Sequence, residues 1–280
     1  MKKRTEPATV APAAERNGGT QVLERAFALL RTLSSRPRSG WKLTELSESC
    51  GLHHATTHRL LAALMREGMV TRDAVTRRYA LGRLAFEFGI AACPQYDWRA
   101  ACAPALDDLA RVTGDTVFLN VRSGHESVCI DRREGSYPLK ALTVEIGARR
   151  PLCVSAGGAA ILGRLPPEEM QAALAASEKY MQRFDAPRAA AVQRMLTESR
   201  RLGYGYNREM IIPGVRAVGV AIAGADGWPQ AALSIAAIAS RLDGSRRTEI
   251  VELLRRHAGQ LGQAIAAGTL PEGTPAFAGR

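Results

Sequence analysis

Residues 43–64 read LTELSESCGLHHATTHRLLAAL, and this stretch decides the fold of the N-terminal part of the chain. Leucines recur at three- and four-residue spacing on both sides of Gly51, which predicts two short helices separated by a turn of about four residues. Thr44 is the expected N-cap of the first helix. The second helix is expected to run from His54 to Glu67.

The flanking patterns complete a winged helix-turn-helix. Upstream, residues 21–33 carry an apolar stripe at helical spacing, which predicts a helix. Downstream, residues 69–72 and 78–81 read as two short strands around a polar turn. The order helix, helix, turn, helix, hairpin is that of a winged helix-turn-helix, which we assign to residues 20–82.

Charge is concentrated in this N-terminal part. The 280 residues carry a net charge of +11. Residues 1–82 hold 14 Lys and Arg against 7 Asp and Glu, a net +7, whereas the remaining residues hold 24 against 20, a net +4. A compact basic module ahead of a nearly balanced domain is typical of a DNA-binding head on a larger body. Double-stranded DNA is therefore the expected partner.

Cysteine usage and hydropathy indicate a cytoplasmic protein. The five cysteines, Cys50, Cys93, Cys102, Cys129 and Cys153, contain no CxxC pair, which argues against a disulfide scaffold and a structural zinc site. The basic start of the chain is not followed by an apolar segment, so no signal peptide is expected. The longest uncharged stretches run to about a dozen residues, whereas a membrane span needs about 18.

The recognition helix and the hairpin supply the candidate DNA contacts. Side chains near the N-terminus of a recognition helix reach base edges, and arginine binds guanine or phosphate. The candidates are Lys42, Thr44, His53, His54, Thr56, Thr57, His58, Arg59, Arg72, Arg77 and Arg78. An ordinary exposed polar helix face remains the alternative. His54 and His58 could also share a metal ion, but no third ligand is evident, and no metal is expected.

The rest of the chain predicts an α+β domain. Residues 83–97 are expected to form a linker with a helix over 83–92, residues 98–267 a second domain, and residues 1–19 and 268–280 disordered tails. Helices are predicted at 98–113, 156–163, 167–176, 187–202 and 246–267. Strands are predicted at 116–122, 126–133, 140–144, 217–223 and 230–237. This order fits an antiparallel sheet with helices at its side.

Small residues at positions 151–160 form a second candidate site. Backbone amides at the start of a helix there could bind a carboxylate or phosphate. Ser155 or Cys153 could instead act as a nucleophile, but the G-x-S-x-G elbow is absent, and only His125 and His257 lie outside the DNA module. Close packing of a helix on a sheet also explains such a run. We expect no catalytic residue and no cofactor.

A polar segment at residues 203–217 forms the third candidate. It lies between a helix and an apolar strand, and Ser234 is on the strand that follows. A loop that carries Asn207 and faces a helix N-terminus could close a small polar pocket. An ordinary surface connection is the alternative.

These segments together resemble the IclR-type family of bacterial transcriptional regulators, named for the isocitrate lyase regulator. The resemblance covers residues 20–265. The matching segments are residues 51–64, 79–82, 114–117, 150–160, 213–217, 232–235 and 240–242. They correspond to the family's recognition helix, wing, effector-domain opening, pocket segments and last strand.

The resemblance implies a winged helix-turn-helix joined by a linker helix to a GAF-like effector domain. It also implies a pocket for small organic acids, including aromatic acids, and assembly as a homodimer or homotetramer. Backbone amides of Ala156, Gly157 and Gly158 would meet the carboxylate. The other pocket residues implied are Phe118, Cys129, Leu152, Cys153, Ser155, Asn207, Val215, Ala217, Ser234 and Ala236.

The chain departs from the family pattern at the pocket. Cys153 replaces a frequent histidine, Ala159 a frequent lysine, and Asn207 a frequent acidic residue, while Ala217 and Ala236 are small where polar groups are common. These replacements predict a more apolar pocket that favours a larger or aromatic acid. In the wing a frequent glycine is also replaced by an arginine, which predicts another turn type and one more phosphate contact.

The sequence therefore predicts a transcriptional regulator that binds an operator and is controlled by a small acid in the C-terminal domain. Two alternatives stay open. The C-terminal domain could serve only oligomerisation, or Cys153 or Ser155 could make it an enzyme.

Overall fold

The computed structural model describes residues 18–92, 97–210, 212–224 and 226–267. The C-terminal tail expectation lies outside the described residues. The N-terminal tail was expected over residues 1–19, and residues 1–17 also lie outside the described residues. Gly18 and Gly19 belong to the first helix. We call residues 18–82 the head and residues 97–267 the body.

The head has the predicted element order. It contains α1 (Gly18–Ser34), α2 (Leu43–Cys50), α3 (His54–Arg66), β1 (Val70–Arg72) and β2 (Tyr79–Leu81). The two strands pair antiparallel. The buried core of the head comprises Leu29, Leu33, Trp41, Leu46, Leu61, Val70 and Tyr79. Apolar side chains from all three helices and the hairpin thus meet in one small core.

The start of α2 differs from the sequence expectation. Lys42, not Thr44, is the N-cap residue, because the backbone turns helical two residues earlier than expected. Glu45 Oε2 accepts a hydrogen bond from the Lys42 backbone N–H at 3.0 Å, which supplies the first turn with an acceptor. At the other end Gly51 has φ +65°, a left-handed conformation that ends the helix as predicted.

The body is built on one six-stranded antiparallel sheet. After α4 (Arg83–Ala92), the body contains α5 (Trp98–Thr113), β3 (Thr116–Ser123), β4 (Glu126–Glu134), β5 (Arg149–Pro151), α6 (Ala156–Leu162), α7 (Pro167–Met181), α8 (Ala186–Leu202), β6 (Gly205–Arg208), β7 (Val215–Ala223), β8 (Pro229–Ile238) and α9 (Gly244–Ala266). The strand order is β5-β4-β3-β8-β7-β6. Head and body together give the expected α+β fold class.

Helices cover both faces of the sheet. α5 and α9 pack with the largest apolar core on one face. On the other face α6 approaches the strands closely: a Cβ added at Gly219 would lie 2.7 Å from the Ala156 carbonyl oxygen, and Gly205 is equally crowded. Glycine at these two positions therefore allows α6 to lie directly on β6 and β7.

Two expectations for the body were wrong, and one edge strand was not predicted. Residues 140–144 form no strand, because side chains hold their backbone: Arg150 donates to the Thr143 carbonyl at 2.7 Å, and Arg132 to the Val144 carbonyl at 3.3 Å. The edge strand is β5 instead, which pairs with the start of β4. The polar segment near residue 205 contains β6, which pairs with β7 at the other edge.

Candidate functional site

The first candidate site is a surface on the head. His53, His54, His58 and Arg59 are exposed at the N-terminal half of α3, and Thr56 is partly exposed beside them. Lys42 and Thr44 are exposed at the start of α2, and Arg77 is exposed in the hairpin turn. We call these eight residues the head surface.

Arg59 is an exposed cation on the recognition helix of the head surface. It has no ion pair and no side-chain hydrogen bond within the described residues, so its full set of donors faces solvent. Arginine is never deprotonated at ordinary pH and presents a planar fork of N–H groups. Such a fork matches the two acceptors of guanine or the oxygens of a phosphate.

Thr57 does not belong to this surface, and its assignment as a DNA contact was wrong. It is fully buried, and its hydroxyl donates to the His53 carbonyl at 3.2 Å. The reason is helical spacing, since position 57 lies on the same face as the core-facing Leu60 and Leu61.

The hairpin turn keeps a left-handed residue at position 77. Arg77 has φ +59°, the region that favours glycine, so the expected change of turn type does not occur. Asp73 Oδ1 organises the turn by accepting the backbone N–H groups of Thr76 and Val75 at 2.6 and 3.1 Å. These bonds hold the pKa of Asp73 below its usual value.

The two other wing arginines contact the head itself. Arg78 donates to the Gly40 carbonyl at 3.1 Å and lies 3.5 Å from Glu45 Oε2, so it ties the hairpin to α2. Arg72 stacks over the Tyr79 ring at 5.2 Å. Their guanidinium groups hold the wing in place, which leaves Arg77 as the wing arginine without a side-chain partner in the described chain.

The second candidate site is a cavity on the α6 side of the sheet. The space inside it is about 40 Å³, and about 600 Å³ when the open mouth and its solvent are counted. Its lining residues are Phe118, Asn120, Ser127, Thr143, Val144, Ala148, Arg150, Ser155, Ala156, Asn207, Ile212, Val215, Ala217, Ser234 and Ala236. Eight of the thirteen residues expected in the pocket are among them.

Three buried polar side chains lie at the sheet end of the cavity. Asn120 Nδ2 donates to Ser234 Oγ at 3.4 Å, which joins β3 to β8. Asn207 Oδ1 accepts the Met210 backbone N–H at 3.0 Å and so folds the loop after β6 toward the cavity. The sequence interpretation missed Asn120, although an asparagine within the apolar run of β3 is a visible signal.

Arg150 lines the cavity from the opposite edge, and the sequence interpretation did not select it. One of its nitrogens donates to the Thr143 carbonyl at 2.7 Å, and no carboxylate lies among the lining residues. Burial is the largest influence on its pKa and lowers it, which means that the charged form is poorly solvated here. The neighbouring Arg149 points elsewhere and pairs with Glu126 at 3.0 Å.

Five expected pocket residues lie outside the cavity lining. Leu152 and Cys153 pack in the core between α6, α7 and α8, because a 3-10 turn at Leu152–Val154 directs Cys153 toward Met181. Cys129 is buried beside Phe118, behind the wall.

The two glycines of the small-residue run serve packing. Gly157 lies against Asn120 and Ser234, where a Cβ would come within 3.2 Å of Asn120 Nδ2. The Gly158 backbone N–H already donates to Ser155 Oγ at 3.0 Å, so the cap of α6 occupies one of the three amides expected to meet a ligand. That amide is not available to a carboxylate in this arrangement.

The nucleophile alternative finds little support in the geometry. Burial raises the pKa of the Cys153 thiol, which disfavours the reactive thiolate. Ser155 Oγ is the α6 cap, and His257 pairs with Asp108 at 3.2 Å on the other face of the sheet. Within the described residues no group of three His, Cys, Asp or Glu side chains comes together as a metal site.

Head and body touch through α7. Lys179 Nζ donates to the Ser49 carbonyl at 3.1 Å, and Arg183 donates to Ser49 Oγ at 3.2 Å, next to the turn that precedes α3. A larger open groove lies between α1, α7 and the β3–β4 hairpin. Its inner arginines are neutralised, since Arg122 pairs with Glu169 at 2.7 Å and Arg149 with Glu126.

The fold and the head surface define a DNA-binding transcription factor whose body contains a separate small cavity. Two family models match: the IclR helix-turn-helix domain over residues 22–74 and the bacterial transcriptional regulator IclR C-terminal domain over residues 90–263. The chain is 30% identical over 271 residues to the HTH-type transcriptional repressor AllR of Klebsiella pneumoniae, covering 95% of this chain and 96% of the relative. The chain belongs to the IclR family of bacterial transcriptional regulators.

Solved structures share the fold. An IclR-type regulator from Silicibacter sp. TM1040 superposes with a TM-score of 0.72 at 24% identity, over 91% of this chain and 99% of that one. An IclR homologue from Microbacterium hydrocarbonoxydans, in complex with 4-hydroxybenzoate, gives 0.63 at 20% identity, over 88% and 99%. Among the described residues, no helix is long and apolar enough to cross a membrane.

Proposed function

We propose that this protein is a repressor whose heads bind a palindromic DNA operator and whose cavity binds a small organic acid that changes operator affinity. The observation that carries the proposal is the head surface, where Arg59 and the neighbouring histidines are exposed on a recognition helix. The similarity to the repressor AllR over nearly the whole chain supports repression instead of activation. Binding to an operator places the protein in the cytoplasm.

The proposed DNA contacts divide by their position. Arg59, His54 and Thr56 at the start of α3 would reach base edges in the major groove. Lys42 at the cap of α2 and Arg77 in the wing would contact phosphates, which position the head without reading sequence.

Exposed apolar side chains support assembly of two copies. On α4, Phe86 and Ile90 are 68% and 56% exposed and lie one turn apart on the same helix face. On α1, Leu23 and Phe27 are 60% and 54% exposed and share a face in the same way. Pairing of these helices between two chains would cover both faces and place two heads on a two-fold operator.

The proposed effector control needs a physical connection between cavity and head. The acid must bind more tightly to one of two head arrangements, since a ligand with equal affinity for both shifts nothing. Besides the linker helix α4, the structure offers α7, which lies near Arg150 through Tyr180 and touches Ser49 through Lys179. Movement of α7 on ligand binding would reposition the turn before α3.

Selection of genomic fragments by the purified full-length protein tests the DNA half of the proposal. We expect enrichment of a palindromic sequence whose half-sites lie about one helical turn apart, with affinity that falls steeply as salt rises. Sequence-independent recovery of fragments would contradict operator recognition.

A thermal-shift screen of aliphatic and aromatic acids, followed by operator binding with and without each hit, tests the sensor half. An acid that raises the melting temperature and changes operator affinity supports it. A C-terminal domain that serves only oligomerisation would leave both quantities unchanged with every acid.

A further inference from the structure

The cavity contains a cation without a counter-ion. Arg150 comes from the edge strand β5, makes one hydrogen bond to the Thr143 carbonyl, and faces a lining that includes no Asp or Glu. Taking an arginine out of water without a carboxylate partner is unfavourable. A chain retains such a group more readily when a bound anion completes its pairing.

Arg149, the residue before Arg150, is paired with a carboxylate. Arg149 donates to Glu126 Oε2 at 3.0 Å and to Ser123 Oγ at 2.9 Å, so its charge is neutralised at the hairpin. The two arginines are consecutive on one strand and therefore point to opposite faces of the sheet. Only Arg150 is directed to the cavity.

The polar groups at the other end of the cavity are neutral. Asn120 and Ser234 lie on β3 and β8, and Asn207 lies on β6, at the far edge of the sheet from β5. Three strand spacings, about 14 Å, separate the backbones of β5 and β8. Phe118, Val144 and Val215 are apolar residues of the same lining.

We infer that the ligand of this cavity is an elongated organic acid whose carboxylate pairs with Arg150 and whose opposite end hydrogen-bonds to Asn120, Ser234 or Asn207. This inference rests on the proposed sensor function and specifies its ligand class. The apolar lining residues Phe118, Val144 and Val215 would contact the carbon skeleton of such an acid once the cavity widens to admit it. The carboxylate thus lies at the β5 edge, away from the capped Gly158 amide.

Binding of 4-hydroxybenzoate, 4-hydroxybenzamide and benzoate to the full-length protein, measured by calorimetry, tests the inference. The acid and the amide have almost the same shape and differ in charge, so their affinity ratio reports recognition of the carboxylate. We expect the wild type to prefer the acid over the amide, and 4-hydroxybenzoate over benzoate.

The variant Arg150→Met should lower the affinity for the acid about 30-fold or more, because one partner of an enclosed charge pair is lost. The amide should bind almost as before, so the acid preference disappears. Arg150→Lys should restore part of that preference. Arg149→Met is the matched control, and it should leave both affinities unchanged because its partner is Glu126.

Equal binding of the acid by wild type and Arg150→Met would overturn the inference while leaving acid sensing in place. Equal binding of acid and amide by the wild type would also overturn it. A wild type that binds its operator but none of the three compounds overturns it as well, with operator recognition intact. Absence of operator binding would instead be a failure of the proposed function.

Discussion

Head and body use arginine in opposite ways. In the body, Arg241 and Arg246 both reach the buried carboxylate of Asp115, each with a nearest contact of 2.8 Å. In the head, Arg59 and Arg77 are exposed and have no carboxylate partner within the described residues. The near-balanced charge of the body therefore reflects internal pairing, whereas the surplus of the head faces solvent, where a polyanion can reach it.

Arg150 is the instructive exception in the body. No carboxylate lies among the described residues that line its cavity, so like Arg59 and Arg77 it is unpaired, but it lies in a cavity instead of on an open surface. Arg59 and Arg77 are suited to DNA, whereas Arg150 is suited to a small acid. Both uses differ from the structural use of the arginines that pair with Asp115.

The largest expected effect is on the stability of the body. Asp115→Ala removes the shared partner of Arg241 and Arg246, and we expect a loss of about 3 kcal/mol in the free energy of unfolding. Urea unfolding followed by circular dichroism measures it. Glu87→Ala is the control: its pair with Arg83 on α4 is on the surface, so the unfolding midpoint should not change measurably. Equal midpoints for wild type and Asp115→Ala would show that the body arginines are not structural.

The next effect is on operator affinity. Arg59→Ala should weaken binding to the selected operator by about 1–3 kcal/mol, because a base or phosphate contact is lost. Fluorescence anisotropy with labelled operator measures it. Arg200→Ala removes the same charge from exposed α8 of the body and should leave the affinity unchanged. Equal losses from the two variants would show that operator affinity depends on the total charge of the protein and not on a specific contact of Arg59.

A smaller effect is expected on the coupling between the two regions. Lys179→Ala combined with Arg183→Ala removes both contacts to Ser49. The acid should still bind, but its effect on operator affinity should shrink by about 0.5–1 kcal/mol, in the range of exposed polar contacts. Arg164→Ala, an exposed arginine before α7, is the control. An unchanged acid effect in the double variant would assign the coupling to α4 alone.

The smallest effect concerns the single paired carboxylate at the start of α2. The Lys42 backbone N–H, followed by Arg78 and Arg36, holds the pKa of Glu45 below its usual value. Glu45→Ala should cost about 0.5–1 kcal/mol of unfolding free energy at neutral pH. Because the lowered pKa makes the charge of Glu45 stabilising only above that pKa, the difference should shrink as pH falls through it, to what the uncharged cap contributes. Glu45→Gln, which keeps the cap but not the charge, should lie between the two; a pH-independent difference would contradict this reasoning.

Local patterns predicted the elements but not the direction of certain side chains. Helices α4 and α5 have the boundaries that periodicity predicts, because their apolar spacing and end signals are local. Thr57 was misassigned although its spacing to Leu60 and Leu61 already indicates a core position. Arg150 could not be predicted, because its direction depends on pairing of a three-residue edge strand with β4. Cys153 depends in the same way on a turn that no pattern indicates.

An acid titration of the operator complex, performed on wild type, Arg59→Ala and Arg150→Met, tests the central claim most directly. Operator anisotropy and ligand-induced melting shift are read on each protein. Arg59→Ala should bind the operator about 1–3 kcal/mol more weakly but keep the melting shift with acid. Arg150→Met should bind the operator like wild type but no longer respond to acid. Release of the operator from Arg150→Met at the same acid concentration as from wild type would contradict the account.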